Sequence, residues 1–349
     1  MTKIPSVETR SDTVLEFLGD YSHIIRGYMT AYLESQPHSP YLSELVVDYP
    51  KRGGKMMRPS ICVAAACAFG ADINEVVPFA ASIELLHNAL LIHDDIQDES
   101  EERRGSPTLH ALHGMPLALN AGDTLLMLSL GPLLNCHQNY GGIIGRSLID
   151  WTLRMARETA EGQALDIGWR RDNRLDISSS DYLEMVLKKT AWMATIWPAQ
   201  IGILIGAKGH VDPAHAIQFG FFLGACFQIQ DDLLNLNPSV GYGKEAMGDL
   251  YEGKKTLMLI HARENSNAEE VEEIDRILTL NRHERCQDDI VWLYDHMVKK
   301  ESILYARTFA EALGGAALHE FSRVFGHLPP SPAKQFIEDL VTWILEREL

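Results

Sequence analysis

Residues 76–98 read VVPFAASIELLHNALLIHDDIQD and join a long apolar segment to an acidic end. Apolar residues recur at spacings of three and four over Val76 to Ile92, which predicts a helix. Asp94 and Asp98 are four residues apart, so they share one face of that helix, with Asp95 beside them. Three crowded carboxylates repel one another unless water or a cation intervenes. Because Mg²⁺ prefers oxygen ligands, this helix end is a candidate metal site.

A second acidic stretch repeats the arrangement 137 residues later. It reads Phe227-Gln228-Ile229-Gln230-Asp231-Asp232-Leu233-Leu234-Asn235, again after an apolar run that begins at Phe219. One such cluster is typical of a solvated surface, as we expect for Asp288-Asp289, which lacks a carboxylate four residues on. Two clusters, each backed by an apolar helix, predict facing oxygen-rich surfaces. They would hold a diphosphate through several Mg²⁺ ions above an apolar pocket.

Cationic residues accompany these clusters. Gly53-Gly54-Lys55-Met56-Met57-Arg58-Pro59 places Lys55 and Arg58 at a predicted helix start, where anions are favoured. The alternative interpretation of this segment is a glycine loop followed by two surface cations. Arg103-Arg104-Gly105 follows the first cluster, and its alternative is surface pairing with nearby glutamates. Further cations beside polar or glycine elements are Lys188, Lys189, Lys244 and Lys254. Together they predict a phosphate-rich site.

The whole chain predicts an all-α fold. Further helical periodicity covers residues 14–33, 148–164, 182–205, 214–236 and 303–313. Ser178 to Asp181 is typical of a helix start, whereas Asn139 to Gly142 and Asn237 to Ser239 are typical of loops. No long linker divides the 349 residues. We therefore expect a loose segment at residues 1–12 and a single helical domain at 13–349, a bundle around a central cavity. The segment Pro329 to Leu349 is either a last core helix or a lid.

Composition excludes several classes of protein. The net charge of −17 argues against general nucleic-acid binding. Five cysteines without a CxxC pair argue against a disulfide framework or a zinc ribbon. The polar N-terminus lacks a signal-peptide core, and we expect no integral membrane segment because charged or polar residues interrupt the longest apolar run. These features predict a cytoplasmic protein.

The ordered motifs between Gly53 and Thr256 resemble those of the trans-isoprenyl diphosphate synthases, or polyprenyl synthetases. The set also includes Gly162-Gln163-x-x-Asp166 and Lys189-Thr190. The resemblance implies helices around a cavity, usually in a homodimer. It implies transfer of an allylic group onto isopentenyl diphosphate, with Mg²⁺, as three ions together with bound diphosphate.

The resemblance also implies roles for matching positions. Mg²⁺ would be bound by Asp94, Asp95, Asp98, Asp231 and Asp232. The diphosphate of isopentenyl diphosphate would be held by Lys55, Arg58, His87 and Arg104, although a lone His87 would also fit a core position. The allylic diphosphate would be held by Arg103, Lys189, Lys244 and Lys254. Thr190 and Gln163 would lie near the reacting carbons.

One position departs from many members of that family, which carry Asp where this chain has Asn235. An amide oxygen still binds a metal or its water, so we interpret Asn235 as a subtype feature shared with geranylgeranyl-type synthases. Ala89, five residues before Asp94, is too small to close the cavity for a C15 product. Positions that would set chain length are Ala89, Leu90, Leu86 and Ile83. The contiguous Asp94 to Asp98 spacing, without a two-residue insertion, resembles that of C20 and longer-chain members and, together with Asn235, favours geranylgeranyl diphosphate, C20.

Three alternatives remain open at the level of sequence. A C25 or longer product is the first, because the cavity floor is uncertain from residues alone. A class I terpene cyclase is the second, although it would need one diphosphate site where this chain has two sets of cations. A non-catalytic regulatory subunit is the third, although such subunits usually lose aspartates from one cluster.

Overall fold

The computed structural model describes residues 10–135, 137–236 and 247–347. Within these ranges the regular structure is helical apart from two short strands, β1 (Glu102–Arg103) and β2 (Ser106–Pro107), which pair antiparallel. The predicted all-α fold is confirmed. The expected loose N-terminal segment lies largely outside the described residues, as does the loop predicted at Asn237 to Ser239.

The α-helices follow in chain order. They are α1 (Arg10–Glu34), α2 (Ser43–Lys51), α3 (Met57–Ala68), α4 (Ile73–Gln97), α5 (Leu109–His113), α6 (Met115–Asn135), α7 (His137–Arg171), α8 (Ser179–Val186), α9 (Trp197–Gly206), α10 (Ala216–Asn235), α11 (Gly248–Glu252), α12 (Leu257–Glu264), α13 (Ala268–Thr279), α14 (Gln287–Lys299), α15 (Ser302–Phe325) and α16 (Pro332–Glu346). A π-helix, Leu187–Ile196, joins α8 to α9, and 3₁₀ turns occupy Pro213–His215 and Arg282–Glu284.

Local sequence signals account for several helix ends. Ser178 and Asp181 form a reciprocal capping box at the start of α8, as the sequence predicts. The loop expected at Asn139 to Gly142 is only a kink within α7, at Gly141 with φ 76°. Asp289 differs from the surface position expected for it. It is buried at the start of α14, where it accepts a hydrogen bond from the backbone N–H of Cys286, while Asp288 is exposed.

Two apolar cores meet at α10. The larger core contains Phe219 and Leu223 of α10, together with α1, α3, α4, α6, α9 and α16. The smaller core contains Ile229 and Leu233 from the same helix, together with α8 and α12 to α15. The acidic end of α10 therefore lies at the smaller core. Helix α16 is a core helix, and its residues Phe336, Leu340 and Ile344 are fully buried.

The π-helix lies against α7 and α10 through glycines. A side chain at Gly162 of α7 would meet the Lys189 backbone, and one at Gly224 of α10 would meet Ala191. Because neither glycine has a side chain, the three helices approach one another closely around Lys189 and Thr190. A π-helix at this position is typical of a functional site.

Two helices in the described part of the chain are long and apolar enough to cross a membrane by length and composition. The expectation that no segment spans a membrane is not contradicted by this test, since buried core helices also pass it. The apolar window of α4 is 72% buried within the bundle, which explains its composition by core packing. The window in α6 is only 39% buried. Helix α6 therefore leaves an apolar face exposed.

Candidate active site

The first acidic cluster ends α4. The Asp94 side chain is 25% exposed, and its Oδ1 accepts a hydrogen bond from Gln163 Nε2 at 3.2 Å. Asp98 is buried and accepts a hydrogen bond from Arg170 Nη2 at 2.9 Å. Burial and the neighbouring Asp94 carboxylate raise the pKa of Asp98. Negative charge is therefore concentrated here, which favours a bound cation.

Asp95 occupies a different environment from Asp94 and Asp98. It is 0% exposed and accepts hydrogen bonds from Tyr49 Oη at 2.5 Å and Arg103 Nε at 2.9 Å. These contacts raise the Arg103 pKa, although burial alone would lower it. Both carboxylate oxygens of Asp95 are thus used by protein donors.

The β1–β2 hairpin aims its two arginines in different directions. Arg104 and Gly105 both have positive φ, 55° and 72°, as a two-residue type I′ turn requires. Arg103 extends to Asp95, whereas Arg104 Nη1 lies 3.4 Å from the carbonyl oxygen of Tyr49. A left-handed arginine costs energy, and such strain is concentrated at functional sites.

The second acidic cluster ends α10. Asp232 is buried and accepts hydrogen bonds from Tyr182 Oη at 2.8 Å and from Gln228 Nε2 at 2.7 Å. Burial, followed by the nearby Asp249 carboxylate, raises the pKa of Asp232 to about 8. Asn235 turns its amide oxygen to the backbone N–H of Asp249 at 3.1 Å. Asp232 and Asn235 therefore make protein contacts with the oxygens that we expected to face a metal.

Asp231 is the more exposed aspartate of this cluster, with a 31% exposed side chain. Its Oδ1 lies 3.2 Å from Arg347 Nη2, just after α16. Arg347 is itself buried and lies over the Phe227 ring, 4.3 Å from the centroid. The segment left open between a core helix and a lid thus supplies both a core helix and a cation beside the site.

Ion pairs join the two clusters. Lys189 Nζ lies 2.5 Å from Asp166, and Arg170 contacts both Asp166 and Asp98. Lys254 Nζ lies 4.0 Å from Asp98 and 2.9 Å from Asp249. Burial opposes the charge on Lys254, but the surrounding carboxylates outweigh it and raise its pKa well above the ordinary value. The predicted proximity of the two acidic helix ends is present in the structure.

A polar cavity of about 80 Å³ lies beside the second acidic cluster and the two lysines, Lys189 and Lys254. Its lining residues are Asp166, Tyr182, Met185, Lys189, Thr190, Gln228, Asp231, Asp232, Asn235, Asp249, Lys254, Lys255 and Thr256. Thr190 donates a hydrogen bond to Gln228 Oε1 at 2.7 Å. A second cavity of about 640 Å³ borders Asp98 and Arg170 on the other side. The first acidic cluster therefore has access to a larger open space.

The residues expected to hold isopentenyl diphosphate come from the loop before α3, from α3 and α4, and from the hairpin. His87 has a pKa lowered by burial and by the charges of Arg58 and Arg104, which makes the three residues neighbours. Burial and Arg347 lower the Lys55 pKa, and Lys55 Nζ lies 5.6 Å from the Trp343 ring centroid. Lys55 lies near Asp231, whereas Arg58 and Arg104 lie near His87 and the buried Glu84. Positive charge at these positions agrees with a second anion site.

The remaining predicted residues include the proposed chain-length positions on α4. Ala89, Leu86 and Ile83 are buried on α4, and Leu90 is partly buried. Gln163 bridges Asp94 and Gln97. Lys244 lies outside the described residues.

Comparison with known proteins identifies the family of this chain. Residues 39–297, well over half of the chain, match the family model described as Polyprenyl synthetase. The chain belongs to the polyprenyl synthetase family. The resemblance drawn from the motifs is confirmed, and so is the assignment as a prenyltransferase.

Relatives within the polyprenyl synthetase family cover most of the chain. Geranylgeranyl pyrophosphate synthase of Geoglobus acetivorans is 32% identical over 96% of this chain and 99% of its own. Geranylfarnesyl diphosphate synthase of Natronomonas pharaonis is 32% identical over 84% of this chain and 86% of its own. The crystal structure of geranylgeranyl pyrophosphate synthetase from Pyrococcus horikoshii has a TM-score of 0.83 and 27% identity, covering 97% of this chain and 100% of that one.

Several residues of this site were not predicted from the sequence. Arg170 follows Asp166 by four residues, so their shared helix face could have indicated the ion-pair network. Tyr182 precedes Lys189 by seven residues, which is a weaker signal of the same kind. Tyr49 and Arg347 reach the site through tertiary packing, without a local pattern.

Proposed function

We propose that this protein is a head-to-tail trans-isoprenyl diphosphate synthase. It joins an allylic diphosphate to isopentenyl diphosphate, and its main product is geranylgeranyl diphosphate. The observation that carries the proposal is the position of Lys254, which lies 4.0 Å from Asp98 at the end of α4 and also lines, with Lys189, the polar cavity beside Asp231 and Asp232. A second positive region, around Arg58 and Arg104, gives the enzyme places for two diphosphates.

Mg²⁺ fits the donors at this site. Asp94, Asp98 and Asp231 offer hard carboxylate oxygens, which are the ligands that Mg²⁺ prefers. Among the described residues, no three acidic, histidine or cysteine side chains form a complete metal cluster. Ions that take their remaining ligands from substrate phosphate and water agree with this arrangement. We propose three ions, which would supply charge stabilisation for the departing diphosphate.

The residues of the chain then divide the reaction between them. Lys189 and Lys254 hold the allylic diphosphate and neutralise the charge that develops as its carbon–oxygen bond breaks. Arg58, His87 and Arg104 hold isopentenyl diphosphate, whose double bond attacks the allylic carbon to form the new carbon–carbon bond. A proton then leaves the adduct for the departed diphosphate. Exclusion of water from the apolar bundle protects the cation from hydrolysis.

Product length depends on the apolar wall beside Asp94. Ala89 leaves room for a chain beyond C15, and Leu86 and Ile83 lie further along α4 as a floor for C20. Relatives named geranylgeranyl synthases support C20, whereas the relative named for geranylfarnesyl diphosphate supports a longer product. We infer C20 as the main product because several relatives are geranylgeranyl synthases, two of which align with 88% or more of this chain.

We further propose a cytoplasmic homodimer formed through α6 and α7. Apolar side chains along these helices are exposed, namely Met115, Leu117, Leu119, Met127, Leu134, Ile143, Ile149 and Leu153. Such a surface is typical of an association site. Charged substitutions at Met127 and Leu153 together are expected to yield monomers in sedimentation equilibrium. Retention of a dimer by that variant would place the interface elsewhere.

Aspartate substitutions test the proposed site directly. Asp94→Ala and Asp231→Ala are each expected to abolish turnover of isopentenyl diphosphate while folding is retained. Asp288→Ala is the matched control, because Asp288 is an exposed aspartate of a similar acidic pair. Turnover near the control value in either variant would remove that cluster from the site.

A further inference from the structure

The two Asp-Asp pairs share an arrangement beyond their sequence. In each pair the first aspartate is partly exposed and the second is buried. Asp94 and Asp231 have 25% and 31% exposed side chains, whereas Asp95 and Asp232 are 0% and 6% exposed as whole residues. Consecutive residues on a helix point about 100° apart, so burial of one fixes the direction of the next.

A buried tyrosine binds each second aspartate. Tyr49 of α2 donates its hydroxyl to Asp95 Oδ2 at 2.5 Å, and Tyr182 of α8 donates to Asp232 Oδ2 at 2.8 Å. Both tyrosines are 1% exposed. Their hydroxyls thus reach the same carboxylate position of the two clusters from separate helices.

The second oxygen of each buried aspartate also has a protein donor, but the donors differ. Arg103 Nε binds Asp95 Oδ1 at 2.9 Å, whereas Gln228 Nε2 binds Asp232 Oδ1 at 2.7 Å. Asp95 therefore has a cationic partner, while both of these donors to Asp232 are neutral. Loss of one hydrogen bond to a buried carboxylate is costly, more so without a compensating cation.

On the basis of the proposed function, we propose that Tyr182 and Tyr49 are positioning residues for the metal site. Each anchors the buried aspartate of one cluster and thereby sets the direction of the exposed aspartate beside it. Asp232 and Asp95 act as structural anchors, while Asp231 and Asp94 face the ions. Because Asp232 has no cationic donor in this arrangement, Tyr182 carries the greater effect.

Removal of single hydroxyls tests this proposal in the full-length protein. Mn²⁺ binding is measured by electron paramagnetic resonance with inorganic diphosphate present, together with thermal unfolding. Tyr182→Phe is expected to weaken Mn²⁺ binding roughly tenfold and Tyr49→Phe roughly threefold. The control is Tyr32→Phe, because Tyr32 donates its hydroxyl to the Leu128 carbonyl at 2.8 Å, away from both clusters. The control is expected to bind Mn²⁺ as the parent does.

A second variant separates an anchor from a ligand. Asp232→Asn retains an oxygen that accepts the Tyr182 hydrogen bond, so it is expected to weaken Mn²⁺ binding less than Asp231→Asn does. Equal losses in these two variants would make Asp232 a ligand and overturn the anchor role. Unchanged binding in Tyr182→Phe, with normal binding by the parent, would overturn the proposal while leaving the proposed function intact. Failure of the parent to bind Mn²⁺ with diphosphate would overturn both.

Discussion

Gly162 and Lys189 bring two helices into direct backbone contact. A Cβ atom at Gly162 would lie 2.1 Å from the backbone nitrogen of Lys189. Asp166, one turn further along α7, forms an ion pair with Lys189 Nζ at 2.5 Å. The missing side chain therefore sets the helix separation at which this ion pair forms.

Gly162→Ala is expected to destabilise the protein by about 1–3 kcal/mol, since the methyl group overpacks a rigid backbone contact. The displacement would also separate Lys189 from Asp166 and lower kcat for prenyl transfer. Urea unfolding and steady-state kinetics measure the two effects. Gly168→Ala on the same helix is the control, because nothing lies within 4 Å of its added Cβ. A Gly162→Ala protein that matches this control would show that the close approach is unimportant.

Lys255 gives a prediction for pH dependence. It is 7% exposed, and burial followed by repulsion from Arg285 lowers its pKa to about 8. Between pH 8 and the ordinary pKa of lysine, the unfolded chain binds more protons at Lys255 than the folded protein does. The free energy of unfolding therefore rises with pH over this range. Below pH 8 the lysine is protonated in both states, and its burial is a fixed cost.

Lys255→Met is therefore expected to be more stable than the parent at pH 7, by up to ~3 kcal/mol. At pH 9.5 this difference in free energy of unfolding is expected to be roughly half as large, because the parent has by then lost much of the buried charge on Lys255. Urea unfolding at both values measures the gap without substrate. An equal gap at pH 7 and pH 9.5 would contradict the lowered pKa of Lys255.

The chain-length assignment predicts the effect of a bulky residue at Ala89. Ala89→Phe is expected to replace the C20 product with a shorter one, because the ring would block the path beside the acidic end of α4. Mass spectrometry of dephosphorylated products measures the change, and thermal unfolding reports any overpacking. Ala89→Ser is the control and is expected to keep the C20 product. A C20 product from Ala89→Phe would place the floor elsewhere.

Local sequence patterns predicted the helices and the acidic clusters well. Three- and four-residue periodicity predicts α4 and α10, and the Asp-rich spacing at their ends depends only on helix geometry. The same signals could not show which aspartate of each pair is buried. That depends on Tyr49, which is 46 residues before Asp95 in the chain.

Tertiary packing also decides the positions of Asn235 and Arg347. Asn235 meets the backbone N–H of Asp249, which is 14 residues later, and the loop predicted at Asn237 to Ser239 does not specify this contact. Arg347 reaches Asp231 from 116 residues away. Such contacts follow from how helices dock, so the sequence predicted the two acidic helix ends but not their internal hydrogen bonds.

Product analysis is the most direct measurement of the central claim. The purified protein would be incubated with Mg²⁺, labelled isopentenyl diphosphate and, in turn, dimethylallyl, geranyl or farnesyl diphosphate. The account predicts products that require both substrates, with a C20 alcohol dominant after dephosphorylation. A C25 or longer series would keep prenyl transfer and refute the C20 floor. A hydrocarbon formed without isopentenyl diphosphate, or no consumption of any allylic partner, would contradict the proposed synthase activity.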